Sequence, residues 1–137
     1  MCISVNLDKA CDYANKVNVY DDGKISVYTI GDKPFEEVIN GWKCMISGAH
    51  DMPAFGVSLN KETVKALNSG LWVEFIYDKQ YESNGMPFEK LLVNVQKGFY
   101  GFNIIRYNSD SGYDGRCFYY DLVGQNMDSF YDILSNL

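Results

Sequence analysis

The chain has one histidine, three prolines and four cysteines. None of the cysteines forms a Cys-x-x-Cys pair. A single imidazole excludes most zinc sites, which combine several imidazole or thiolate ligands. No segment approaches the ~20 apolar residues needed to cross a bilayer. Met1-Cys2-Ile3-Ser4-Val5-Asn6 carries neither a basic region nor an apolar stretch of signal-peptide length. The expectation is a cytoplasmic protein with no membrane contact, whose cysteines are free and buried. Bases are outnumbered, 12 against 18 acids, for a formal charge of −6. Without a run of Lys or Arg to displace phosphate counterions, direct binding to nucleic acid is not expected. The phosphate cradles G-x-x-x-x-G-K-[ST] and G-x-G-x-x-G are missing, as is the nucleophile elbow G-x-S-x-G.

What is present is apolar and aromatic. Hydrophobic residues make up 47% of the 137 and aromatic ones 15%, enough for the core of one domain over residues 1–137. Leu7, Ala10, Cys11, Ala14 and Val17 share a helical stripe that Asn6 or Asp8 can cap. Two β-rich runs, 17–20 and 24–30, flank Asp21-Asp22-Gly23 and predict a hairpin. A short helix follows, with Asp32 as cap, Pro34 in its first turn and Gly41 as its end. Residues 43–46 and 54–59 read as short strands, and Lys61–Ser69 as a helix begun by Asn60.

From residue 71 the pattern is β. Strands are predicted over Leu71–Asp78, Phe88–Val95, Phe99–Tyr107 and Arg116–Val123, joined by connections short enough for hairpins. Met127, Phe130, Tyr131 and Leu134 predict a terminal helix with Asn126 as cap. The fold class is α+β: an antiparallel sheet, made of a C-terminal four-strand meander and an N-terminal hairpin, with three to four short helices packed on it.

Three groups of residues can carry function. The first is a thiol with a base: Cys44 or Cys117 with His50, Asp51 beside it, as in a small cysteine-dependent enzyme. Neither cysteine lies in a glycine-flanked turn before a helix, so inward-facing thiols are the competing reading. The second is a set of carboxylates, Asp78, Glu82, Asp110 and Asp114, at predicted hairpin ends, where turn chemistry alone accounts for them. The stretch 108–119 fails as a calcium loop, because its sixth and twelfth positions hold Tyr113 and Tyr119.

The third group is aromatic. Alternation places Tyr100, Phe102, Ile104 and Arg106 on one face of their strand, with Phe99, Asn103, Ile105 and Tyr107 on the other. Either the sheet is covered on both sides, by the helices and the first hairpin, or one face offers tyrosines and Arg106 to a partner. Residues 107–137 hold five acids against Arg116 alone, so the acidity is biased to the C-terminal part.

These features favour a small, acidic, non-enzymatic binding or inhibitory protein acting by protein–protein contact, without cofactor or metal. In type it is comparable with toxin-immunity proteins and phage-encoded nuclease inhibitors (anti-restriction and anti-CRISPR proteins), which cover basic surfaces with carboxylates. No motif assigns it to such a family. The expected binding residues are Tyr100, Phe102, Arg106, Asp110, Tyr113, Asp114 and Asp121, and the expected partner is a protein, with a basic surface. The alternatives are the cysteine enzyme and a small-molecule module with an aromatic pocket lined by Trp72, Tyr and Phe.

Overall fold

The computed structural model describes residues 3–54 and 56–137, apart from the side chain of Asp51. The expectation that Cys2 is a buried thiol, and any part for Asp51 beside His50, therefore lie outside the described residues. In chain order the elements are β1 (Ile3–Ser4), a 3-10 helix (Leu7–Tyr13), β2 (Lys16–Asp21), β3 (Lys24–Thr29), α1 (Lys33–Ile46), β4 (His50–Met52), β5 (Val57–Ser58), α2 (Asn60–Ala66), β6 (Leu71–Ser83), β7 (Met86–Val95), β8 (Gly101–Tyr107), β9 (Gly115–Arg116), β10 (Phe118–Asp121) and α3 (Asp128–Ser135). The fold is α+β with an antiparallel sheet.

The main sheet runs β3-β2-β6-β7-β8-β10-β4, and β1 adds a short parallel pairing to β6. The meander β6-β7-β8-β10 follows the predicted strands. The Asp-Gly hairpin also forms, with Asp22 and Gly23 both at positive φ as a two-residue turn requires. The hairpin extends the edge of the sheet through β2–β6 pairing instead of covering a face. One face is covered by the 3-10 helix, α1 and α3, around Val73, Phe75, Phe88, Ile104, Phe118 and Tyr120. Leu67, Trp72, Leu92 and Tyr113 form a second, smaller cluster with Ile105 and Tyr107. Trp72 and Leu92 alternate with Val73 and Leu91 on their strands, so this cluster lies on the opposite face.

Several boundaries differ from the sequence reading. The first helical stripe is a 3-10 helix ending at Tyr13, and Val17 belongs to β2. Gly41 does not end its helix: α1 continues to Ile46, so residues 43–46 are its last turn and not a strand. The glycine is there because α3 crosses at this point. A Cβ on Gly41 would stand 2.7 Å from Ile133 Cδ1 and 3.2 Å from Phe130 Cδ1. Asp32 does not cap α1 with its side chain; its carboxylate accepts from the backbone N–H of Thr29 instead. The predicted strand at 54–59 reduces to Val57–Ser58, and Phe55 is outside the described residues. Asp78 and Glu82 lie within the long β6, whose register shifts between Ile76 and Tyr81, and not in a hairpin loop.

Candidate functional site

The pairings fix which loops share an end of the sheet. Asp21, last in β2, pairs with Leu71, first in β6, which pairs with Val95, last in β7. Gly101, first in β8, pairs with Asp121, last in β10, which pairs with His50, first in β4. The β2–β3 turn, the loop 96–100 and the loop 122–127 therefore gather at one end.

Hydrogen bonds tie the loop 96–100 to the loop 122–127 and to the start of α3. Leu122 N–H donates to Tyr100 O at 2.8 Å, and Gly98 N–H to Asp128 Oδ1 at 2.8 Å. Val123 N–H donates to Asp121 Oδ1 at 2.9 Å. The result is an ordered tip with three exposed apolar side chains: Phe99 at 49%, Tyr100 at 59% and Val123 at 51% exposure.

Val123 holds φ +53. A left-handed backbone brings the Cβ of an L residue against its own carbonyl, at roughly 1–2 kcal/mol, and β-branched residues adopt it least. Among the described residues, the other non-glycine positions with positive φ are Asp22 and Asn84, types that tolerate it in turns. A glycine would escape this cost at 123, and half of the valine's surface faces outward. Backbone strain of this kind concentrates at functional surfaces.

The tip is flanked by charge. Asp21, Asp22, Asp121, Asp128 and Asp132 belong to this end, together with Lys24, Lys65 and Lys97. Lys97 is engaged with Asp132 at 3.1 Å. Next to the tip, from Gln125 and Asn126, a groove of about 1020 Å³ runs between α1 and α3. Cys44, Met45, Phe130 and Ile133 contribute to its walls, and Glu37 and Asp132 are its acids.

The seven expected binding residues do not form one surface. Tyr100 and Asp121 are at the tip, although Asp121 acts on the backbone of Val123. Phe102 is 7% exposed and sits in the core against Trp42 and Tyr120, so it cannot meet a partner. Arg106 is half-buried and clasps strand ends, donating to Pro87 O and Arg116 O, both at 2.8 Å. Desolvation is the main cause of its lowered pKa. Asp110 is exposed on the 108–112 turn, and Asp114 accepts from Asn60 N–H at 2.6 Å. Both are away from the tip. Reversing Asp114 and Asp121 would therefore break backbone contacts as well as change charge.

Tyr113 is buried. Its hydroxyl donates to Glu74 Oε2 at 2.5 Å, while Tyr20 donates to Oε1 at 3.0 Å and Asn18 Nδ2 stands 3.5 Å from the same oxygen. Glu74 is fully buried in the middle of β6. Desolvation, then the glutamate's charge, raises the Tyr20 pKa to about 12 and raises that of Tyr113 as well. This cluster anchors the 108–114 loop over the outer face of the sheet. The sequence signal was Glu74 itself, an acid inside the apolar run Leu71–Tyr77.

The thiol readings fare differently. Cys117 is buried, and its pKa is raised by desolvation, which disfavours a thiolate. It lies four residues from Asp121, the partner of His50, or about 13 Å along the strand. Cys44 is exposed on α1, a different element from the β4 that carries His50. Trp72, expected to line a pocket, is buried, with its ring N–H on Ser69 O at 2.9 Å. Among the described residues no three His, Cys, Asp or Glu side chains group as a metal site, and no helix is long and apolar enough to cross a membrane. In comparison with known proteins, the chain matches no family model, no curated protein and no solved structure.

Proposed function

We propose that the chain is a non-enzymatic binding protein that acts by protein–protein contact, docking the tip of Phe99, Tyr100 and Val123 onto a basic partner. The observation that carries this reading is Val123: a strained, β-branched residue whose side chain points half into solvent beside two exposed aromatics. Aromatic anchors supply most of the energy of such contacts. The surrounding carboxylates favour a positively charged partner and speed its association. Inhibition of a nucleic-acid enzyme, the mode of phage-encoded nuclease inhibitors and toxin-immunity proteins, is the form of contact that a charge of −6 suits best. The partner is a protein in the cytoplasm; no nucleic acid, membrane or cofactor enters the scheme.

The test is affinity capture from the native host with the wild-type chain, Phe99→Ser/Tyr100→Ser and Asp121→Asn/Asp128→Asn. Asparagine keeps the acceptor oxygens that hold Val123 and Gly98 while removing the charges. A basic protein should be retained by the wild type, lost from the serine pair, and bound more slowly and with weaker salt dependence by the asparagine pair. Equal retention by the serine pair overturns the reading.

The groove between α1 and α3 supports a second reading, a small-molecule module, since its volume suits a drug-sized ligand. A metabolite that raises the unfolding temperature of the wild type but not of Cys44→Trp, which fills the groove from an exposed position of α1, would favour it.

A further inference from the structure

The chain has two arginines, and the fold sets them side by side at the end of the sheet opposite the tip. Arg106 is next to last in β8, whose first residue lies at the tip; Arg116 closes β9, just ahead of β10, whose last residue lies at the tip. Arg106 donates through Nε to Arg116 O and through Nη1 to Pro87 O. A guanidinium carries five N–H groups, so three of those on Arg106 make no hydrogen bond, although the side chain is half-buried. Arg116 is exposed, and its side chain makes no hydrogen bond or ion pair among the described residues.

Neither arginine is paired with a carboxylate. Two acids of this end are engaged elsewhere: Asp114 accepts from Asn60 N–H at 2.6 Å, and Glu89 accepts from Ser109 N–H and Oγ at 3.3 and 3.2 Å. Desolvation lowers the Arg106 pKa, and the adjacent Arg116 charge lowers it further. A half-buried guanidinium beside a second one calls for a counter-charge, and a chain of net charge −6 supplies none at this place. The approach to the pair is kept clear by Gly115, at φ +138, where a Cβ would stand 3.0 Å from Arg106 Nη2.

We propose that Arg106 and Arg116 form an anion site for a phosphate group, free or esterified, held over Gly115 by Nη2 of Arg106 and the guanidinium of Arg116. Two uncompensated cations match the charge of roughly −1.5 to −2 that a phosphate group carries at neutral pH, which a carboxylate does not. The planar donor forks suit its oxygens. The site lies at the far end of the sheet from the tip, so it operates independently of docking there.

NMR titration of the full chain with inorganic phosphate, at constant ionic strength, reads the outcome. The backbone N–H signals of Gly115 and Arg116 and the Nε–H signal of Arg106 should shift together, with a Kd below about 5 mM. Acetate, with a single charge, should bind at least about fivefold more weakly. Arg116→Gln alters an exposed side chain that the fold does not use, and it should weaken phosphate binding at least about fivefold. Glycerol phosphate distinguishes the source: tighter binding than inorganic phosphate assigns the site to a phosphate ester, and equal or weaker binding assigns it to the free ion. The proposal is overturned if Gly115 and Arg116 do not shift, or if the Kd for inorganic phosphate exceeds about 5 mM. A smaller difference for acetate or for Arg116→Gln overturns it as well.

Discussion

Replacing Val123 isolates the strain argument from the binding argument. In ordinary backbone, alanine is more favourable than glycine by roughly 0.5–1 kcal/mol, because glycine loses more freedom on folding. At φ +53 the order inverts. Alanine keeps a Cβ and most of the left-handed penalty of roughly 1–2 kcal/mol, which glycine escapes. Set against a glycine entropy term of roughly 0.4–1 kcal/mol, Val123→Gly should exceed Val123→Ala in stability by roughly 0.5–1 kcal/mol. Relative to wild type, glycine also loses the contacts of a half-exposed valine, roughly 0.7 kcal/mol. Its stability should therefore fall within about 0.5 kcal/mol of wild type. Urea unfolding measures these differences, and thermal unfolding should separate the two variants by about 2–5 °C. Both variants should lose partner binding. If Val123→Ala proves as stable as Val123→Gly, the position is not strained and the case for a functional valine fails.

Tyr113→Phe removes the strongest hydrogen bond to the buried Glu74 carboxylate and should cost roughly 1.5–3 kcal/mol in urea unfolding; a cost below about 0.5 kcal/mol would mean that the cluster does not anchor the 108–114 loop. Tyr77 is the reverse case, a buried hydroxyl without a hydrogen-bond partner, so Tyr77→Phe should hold or raise stability by up to about 1 kcal/mol, and a clear loss would contradict that account. The alkaline limb should be steep. Burial raises the Cys11 thiol from near 9 to about 11 and Tyr20 from near 10 to about 12, with Tyr77 and Tyr113 raised as well. Folded pKa values above unfolded ones give stability that is complete below about pH 9 and is lost as pH climbs through the folded values. Unfolding free energy at about pH 11 should lie below that at about pH 8, and equal values would contradict the shifts.

The architecture was legible where local pattern and local chemistry agreed. Period-two alternation located β6, β7, β8 and β10, and Asp22-Gly23 located the first hairpin, because both signals belong to the strand itself. Helix α1 was cut short because Gly41 reads as a stop locally, while its actual cause is the approach of Phe130 and Ile133 from α3, more than eighty residues away. Alternation rightly grouped Phe102 with Ile104, yet it cannot say that their shared face is the core. The tip was half-visible. Tyr100 and Asp121 stand out as aromatic and acidic, but the alternation carries Phe99, Tyr100 and Val123 into strands that stop short of them, and nothing in a β-branched residue signals the left-handed backbone of Val123. The acidity of residues 107–137 is a property of the sequence, not of one surface. Packing divides it, with Asp114 on the α2 side and Asp121, Asp128 and Asp132 at the opposite end of the sheet.

Site-specific photocrosslinking tests the central claim most directly. A benzophenone amino acid placed at Tyr100 should crosslink, in host extract, to a basic protein, and the yield should fall as salt is raised. The same group at Val64, equally exposed on α2 and away from the tip, should give no such product. A partner captured equally from both positions, or from Val64 alone, would contradict docking through the Phe99–Tyr100–Val123 tip.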